Sequence, residues 1–209
     1  MVYADLEKRP QRKLQLSREK RQQQKRPLKK RSKNRKLPLK AAFLIYNELD
    51  LSQFNKTAAN LKKENETFYR RLKLKSPKNL DDVVHQLHEE VFEHTDCLSC
   101  ANCCKTTSPI FYERDVERAA KAVKLKPGEF TDKYLKRDED GDLVFRIAPC
   151  PFLDAENYCL IYESRPNACR EYPHTDRKKI QQILDLTYKN TMICPAVLEI
   201  TERLKKILK

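Results

Sequence analysis

The chain has 209 residues and a formal net charge of +14, with eight cysteines and only two glycines, Gly128 and Gly141. Because a P-loop, a dinucleotide-binding turn and a nucleophile elbow each need closely spaced glycines, two isolated ones exclude these nucleotide-binding and serine-hydrolase motifs. The longest apolar run, residues 41–46, is too short to span a membrane, and no apolar signal segment opens the chain. The sequence therefore predicts a cytoplasmic protein whose thiols stay reduced.

Residues 1–40 carry most of the charge, with 16 Lys and Arg against 3 Asp and Glu, whereas residues 41–209 carry 28 against 27. The segment 1–40 is also poor in apolar residues, a composition that cannot offset the entropy of ordering. The sequence thus predicts a basic disordered arm at 1–40 and one helical, cysteine-containing domain at 41–209. Clustered basic side chains bind polyanions by counterion release, so non-specific contact with nucleic acid is one interpretation of the arm, and a solvated tail is the other.

The spacing of apolar residues predicts helices along most of the second part. The first two are expected at 40–52 and 54–74. A third follows Asn79, a predicted N-cap, and buries the stripe formed by Val84, Leu87 and Val91. Further helices are predicted, in chain order, at 112–125, at 127–136, at 165–170 behind a Ser164 cap, at 176–190 and at 195–208.

A turn at 138–142 followed by the apolar run 143–147 predicts at most a small β-hairpin near 136–148. The expected fold class is therefore mainly α, a compact helical domain organised around a cysteine metal centre.

The cysteines fall into two groups along the chain. The first has the spacing CxxCxxCC, and the second is more widely spaced. Thiolates two residues apart can bind one ion or cluster, and eight reduced thiols indicate metal before disulfides. All eight are candidate ligands: Cys97, Cys100, Cys103, Cys104, Cys150, Cys159, Cys169 and Cys194.

The adjacent pair Cys103 and Cys104 raises a question of geometry. On a continuous helix Cys97, Cys100 and Cys104 would share one sector and Cys103 would lie outside it, whereas in a loop the choice could reverse. Neighbouring side chains usually diverge, so the two are predicted to serve different sites, unless one of them is spare.

The sequence leaves the identity of the metal open between iron and zinc. A CxxCxxC segment with a remote Cys-Pro, here Cys150-Pro151 or Cys194-Pro195, is closer to ferredoxin-type ligation of a four-iron cluster than to paired zinc knuckles. Cys104 departs from that pattern. The spacing slightly favours an iron–sulfur cluster over zinc.

Other polar residues near the cysteines have open roles. His94 and His174 are either metal ligands or donors to a cluster sulfur, or ordinary histidines. Arg165, Arg170 and Arg177 either neutralise the thiolates or form surface ion pairs.

The segments CLSCANCC at 97–104 and PCPFLDAENYCLIYESRPNACREYP at 149–173 resemble the YkgJ family of cysteine-cluster proteins, described by a CxxCxxCC motif as zinc- or iron-chelating. The likeness covers about residues 60–205, and CANCCKTTSP, CREYPHTDRKK and ICPAV resemble small Bacteroidetes-type members. By position, the resemblance implies that all eight cysteines are ligands. It implies no activity and does not extend to the arm.

The leading expectation is thus a helical metalloprotein that binds an iron–sulfur cluster or zinc through its cysteines. Two alternatives stay open. One is a redox or protein-modifying enzyme that uses the metal centre, with Cys103 or Cys104 as a spare thiolate. The other is an RNA- or ribosome-associated accessory protein that acts through residues 1–40.

Overall fold

The computed structural model describes residues 51–208. The predicted arm at 1–40 and almost all of the helix expected at 40–52 lie outside these residues. Within them the fold is mainly helical with a small antiparallel hairpin, as the sequence predicts.

The described elements follow one another as short helices joined by irregular loops. In chain order they are α1 Leu51–Leu74, α2 Leu80–Phe92, α3 Cys97–Cys100, α4 Asn102–Thr106, α5 Glu113–Ala122, α6 Pro127–Tyr134, β1 Leu135–Arg137, β2 Leu143–Phe145, a 3-10 helix Tyr162–Ser164, α7 Asn167–Glu171, a 3-10 helix Ile180–Ile183, α8 Leu184–Asn190 and α9 Pro195–Ile207. In this part of the chain, no helix combines the length and apolar character needed to cross a bilayer.

The first hydrophobic core lies between α1, α2, α8 and α9. The predicted stripe of α2, Val84, Leu87 and Val91, is buried there as expected. The hydroxyl groups of Tyr69 on α1 and Thr201 on α9 lie 2.8 Å apart inside this core. Since the Thr201 hydroxyl donates to a backbone carbonyl, Tyr69 is the donor of the pair. The long N-terminal helix is thereby fixed against the C-terminal one.

The second core is built on the hairpin and is rich in aromatic rings. β1 pairs with β2 in antiparallel register, with Leu135 opposite Phe145. Phe130 of α6 is fully buried, and its ring centroid lies 6.0 Å from those of Phe111 and Phe152. This packing joins α5, α6 and the hairpin to the loop that follows Cys150.

Three local predictions are wrong or only partly right. Ser164 lies in a 3-10 turn, and the following helix has Pro166 as its N-cap instead. The helix expected at 176–190 begins only at 180, because Lys179 adopts a left-handed φ of 57°. Asn79 is the N-cap of α2, but its side chain makes no capping hydrogen bond. The carboxylate of Asp81 accepts instead from the backbone amides of Lys179 and Ile180, which joins α2 to the later 3-10 helix.

His88 gives the fold a pH dependence. The ring is buried on α2, stacks on Phe92 with centroids 4.4 Å apart, and its Nδ1 lies 2.7 Å from the buried hydroxyl of Thr175. Burial lowers the pKa of His88 below its usual value, so the unfolded chain binds a proton that the folded one does not. We expect neutral His88 to contribute fully to the free energy of unfolding above about pH 6.5. This contribution should fall as the pH drops toward the pKa of His88 in the folded protein.

The measurement is the free energy of unfolding of the full chain at pH 7.5 and pH 5.5. His88→Asn keeps a donor near the Nδ1 position and cannot titrate, so the loss of stability on acidification should be smaller in this variant. Burial also lowers the pKa of His174, which leaves part of the dependence in place. An unchanged pH dependence in His88→Asn would show that His88 does not contribute.

Candidate metal centre

The CxxCxxCC motif folds as two short helices separated by one left-handed residue. α3 begins after Asp96, whose carboxylate accepts a hydrogen bond from the Leu98 amide at 2.9 Å. Ala101 then adopts a φ of 47°, which ends α3 before α4 begins. Because the helix is interrupted, the sectors of a continuous helix do not apply to the motif.

Three cysteines of the motif line a cavity of about 410 Å³ together with a fourth from the end of the domain. We call these four the cavity set: Cys97, Cys100, Cys103 and Cys194. Cys194 is the N-cap of α9. The side-chain amide of Asn102 donates at 2.7 Å to the backbone carbonyl of the residue before Cys194, and so joins the two ends of the set.

The other four cysteines lie on α4, on the chain between β2 and the first 3-10 helix, and on α7, and two of them, Cys150 and Cys159, pack against the second core. We call them the loop set: Cys104, Cys150, Cys159 and Cys169. The Cys150 amide donates to the Cys104 carbonyl at 2.8 Å, and Cys159 forms an isolated antiparallel bridge with Leu153. The thiol of Cys104 interacts electrostatically with the other three and also with Cys97 and Cys100 of the cavity set. Cys103 lines the cavity, whereas Cys104 is not among its lining residues.

A buried carboxylate holds the helix that carries Cys169. Asp115 on α5 is only 1% exposed, and its Oδ1 accepts from the Asn167 amide at the start of α7 at 3.1 Å. The Arg118 guanidinium donates to the same oxygen at 2.5 Å and to the side-chain oxygen of Asn167 at 3.2 Å. These bonds fix α7 against α5 and so position Cys169.

Most of the thiols are held in their protonated form. Burial raises the pKa to about 11 for Cys97 and Cys159 and to about 12 for Cys150 and Cys194. Burial also raises the pKa of Cys169. A metal that binds these side chains must therefore displace their protons.

The pair of adjacent thiols is coupled. The Cys103 thiol donates a hydrogen bond to the Cys104 sulfur, which raises the pKa of Cys103 and lowers that of Cys104. The nearby Lys105 ammonium also lowers the pKa of Cys104. Cys104 is the thiol most ready to become a thiolate in the protein without metal.

Positive charge lies beside the loop set. Burial raises the pKa of Cys159 and Cys169, and the positive charge of the Arg165 guanidinium partly offsets this increase. Its carbon lies 3.7 Å from the centroid of the Tyr162 ring, a cation–π contact that holds it in place. Arg170 instead donates to the backbone carbonyls of Arg165 and Glu163, so its role is to shape this loop.

The histidines have different positions. His94 is among the residues that line the cavity. His174 lies beside Glu171, with Nδ1 3.8 Å from a carboxylate oxygen, and the charge of Arg177 also acts on it. His85 contacts the backbone carbonyl of Arg177 at 2.9 Å. His85 and the buried His88 thus hold the fold together.

The thiols are gathered but not arranged as a finished coordination sphere. All eight are free, and within residues 51–208 no three His, Cys, Asp or Glu side chains form a group ready to hold a metal ion. The chemistry of the donors nevertheless fits, since four cysteines are the usual ligands of a structural zinc ion and of an iron–sulfur cluster. Ligation requires the side chains of each set to turn toward one another.

One residue of the cavity has a role that its position in the sequence does not reveal. Tyr172 follows Cys169 by three residues, which suggests the second cysteine group, but its side chain lines the cavity. Its hydroxyl is buried and has no hydrogen-bond partner within 51–208. The charges of the whole cavity set act on this hydroxyl, although burial is the main cause of its raised pKa. No sequence signal distinguishes it from Tyr162.

Residues 96–194 match the model of the CxxCxxCC family, described as a "putative zinc- or iron-chelating domain". This part of the chain is similar to the CxxCxxCC family. The matched range begins one residue before Cys97 and ends at Cys194, so it includes both cysteine sets. No curated protein and no solved structure matches the chain. The CxxCxxCC family description agrees with the expectation of a zinc- or iron-binding domain.

Proposed function

We propose that this CxxCxxCC domain holds two separate metal centres, one on the cavity set and one on the loop set, and that all eight cysteines are ligands. The observation that carries the proposal is the division of eight free thiols into two sets of four. A four-thiolate site is the complete ligand set of a structural zinc ion or of one cluster.

The adjacent cysteines support two centres rather than one. Cys103 lines the cavity with Cys97 and Cys100. Cys104 does not line it and interacts with Cys150, Cys159 and Cys169 as well as with Cys97 and Cys100. The two thiols are hydrogen-bonded to each other in the metal-free protein, and on ligation each is expected to turn toward its own set. The left-handed Ala101 makes this arrangement possible because it re-aims α4 relative to α3.

The role of such centres is to hold irregular chain in place. The segment 97–111 contains only the short helices α3 and α4, and the segment 146–166 contains only one 3-10 turn. Each cysteine set joins segments that are far apart in sequence. Metal ligation therefore supplies cross-links that the small cores do not, and its free energy adds to that of folding. A cytoplasmic location, where thiols stay reduced, suits this role.

For the identity of the metal we propose iron–sulfur before zinc. The spacing Cys97-x2-Cys100-x2-Cys103 with the remote Cys194-Pro195 resembles ferredoxin ligation, and these four cysteines form the cavity set. The cavity of about 410 Å³ is also roomier than one zinc ion needs. The loop set has no such spacing and suits either metal.

The test is anaerobic purification of the full chain with analysis of iron, zinc and acid-labile sulfide. We expect bound metal, with iron and sulfide present in similar amounts. Zinc without sulfide would replace the iron–sulfur assignment and leave chelation intact. A well-folded protein that contains neither metal would reject the proposal.

A second proposal concerns the basic residues 1–40, whose 16 Lys and Arg against 3 Asp and Glu favour binding of RNA without sequence specificity. We expect the full chain to bind a mixed-sequence RNA with an affinity that falls steeply with salt, and a chain lacking residues 1–40 to lose this binding. Filter binding at several salt concentrations measures both. Equal binding by the shortened chain would reject the role of the arm.

A further inference from the structure

The hydroxyl of Tyr172 is a buried polar atom without a hydrogen-bond partner in the described part of the chain. A buried group left in this state costs free energy, and native proteins rarely leave one without a reason. The nearby ring of His174 is edge-on to Tyr172 with centroids 6.3 Å apart, and the Glu171 carboxylate lies beside His174. The missing acceptor must therefore come from another part of the surroundings.

The thiols of the cavity become strong hydrogen-bond acceptors only after they change state. Tyr172 lines the cavity together with the whole cavity set. A neutral thiol is a weak acceptor, whereas a metal-bound thiolate keeps negative charge and accepts hydrogen bonds strongly. Donors of this kind around a metal site orient the ligands and adjust the properties of the metal.

The loop set is served by a different donor. There the guanidinium of Arg165 provides positive charge beside Cys159 and Cys169. The cavity set has the Lys105 ammonium near Cys100, but that group already donates at 3.2 Å to the Cys100 backbone carbonyl. Backbone amides of Asn102, Ala196 and Val197 already donate to the sulfurs of Cys100 and Cys194. The Tyr172 hydroxyl is a further donor at the cavity, and it is still without a partner among residues 51–208.

On the basis of the proposed function, we propose that the Tyr172 hydroxyl donates a hydrogen bond to a metal-bound thiolate of the cavity set and acts as a positioning residue for that centre alone. In the metal-free protein this hydroxyl has no partner, and its hydrogen bond forms only when the metal binds. No corresponding effect is expected at the loop set.

The first measurement is zinc binding by the reduced, metal-free full chain in competition with a chelator. In Tyr172→Phe, which keeps the ring and deletes only the oxygen, one zinc equivalent should bind about 10–100-fold more weakly and the other should be unchanged. The matched control is Tyr188→Phe, which removes the same atom from a tyrosine that packs against Tyr69 in the first core. Both zinc equivalents should bind to it as to the wild type.

The second measurement separates a hydrogen bond to the ligand from a general packing role. Without metal, Tyr172→Phe should be as stable as the wild type or more stable, because the variant removes an unpaired buried hydroxyl. With zinc bound, the same variant should be less stable than the wild type. A packing role would change stability in the same direction in both states.

Two outcomes would overturn this inference while leaving the metal centres in place: unchanged affinity of both zinc equivalents in Tyr172→Phe, or an equal loss of stability with and without metal. A wild-type chain that binds no zinc and is purified without iron would reject the proposed function itself, and the role of Tyr172 with it. Metal analysis of the wild type therefore distinguishes the two failures.

Discussion

A Cys103→Ser variant is expected to lose the metal of the cavity set and keep that of the loop set, and a Cys104→Ser variant is expected to do the reverse. The two residues are adjacent in α4, but Cys103 lines the cavity, whereas Cys104 does not line it and is assigned to the loop set in our proposal. Serine is a poor ligand for both zinc and iron–sulfur clusters, so each variant should retain about half of the metal of the wild type.

Each of these variants is the control of the other, because they make the same chemical change one residue apart. Metal content alone does not identify the site that is lost, so each is combined with a second substitution. Cys103→Ser with Cys97→Ser should lose no more metal than Cys103→Ser alone, whereas Cys103→Ser with Cys159→Ser should lose both centres. Complete loss of metal in both single variants would indicate one shared centre and contradict two separate ones.

Removal of the metal is expected to lower the unfolding temperature of the full chain by at least about 10 °C. Ligation of zinc contributes about 10–16 kcal/mol in small zinc-dependent domains, and 1 kcal/mol corresponds to about 2–4 °C in a chain of this size. The helices α1, α2, α8 and α9 have their own hydrophobic core and should keep part of their structure. The segments 97–111 and 146–166 should lose their structure.

Calorimetry before and after treatment with a chelator under reducing conditions measures the change in temperature. Hydrogen exchange shows which segments change. Amides in residues 97–111 and 146–166 should lose protection, while the amides of Tyr69 and its neighbours on α1 should keep theirs. Adding back the metal is the control for irreversible damage. An unfolding temperature that does not change with metal would contradict a structural role for the centres.

The helices were predictable where their stability is local. The apolar stripe of α2 follows from periodicity alone, and Pro127 and Pro195 mark helix starts because proline is tolerated at the first helical position. The hairpin was also predictable, since a turn at 138–142 precedes the apolar run 143–147. Helix boundaries that depend on tertiary contacts were not. The late start of the 3-10 helix at Ile180 follows from its contact with Asp81, ninety-nine residues earlier in the chain.

The residue types of the proposed site are predictable from the sequence, but the proposed grouping of the cysteines is not. Spacing in the sequence identifies the eight cysteines and separates Cys103 from Cys104. The assignment of each one depends on the left-handed conformation of Ala101, which no feature of an alanine predicts. The position of Cys194 beside the first motif involves the long-range hydrogen bond from Asn102 to the residue before Cys194. Such contacts between distant segments leave no local pattern in the sequence.

The most direct test is the number of metal centres in one chain, measured by native mass spectrometry of the full chain purified without oxygen. Two separate four-cysteine sites predict a mass that exceeds that of the polypeptide by two centres, either clusters or zinc ions. A single centre per folded chain, or a folded chain with the mass of the bare polypeptide, would contradict the arrangement.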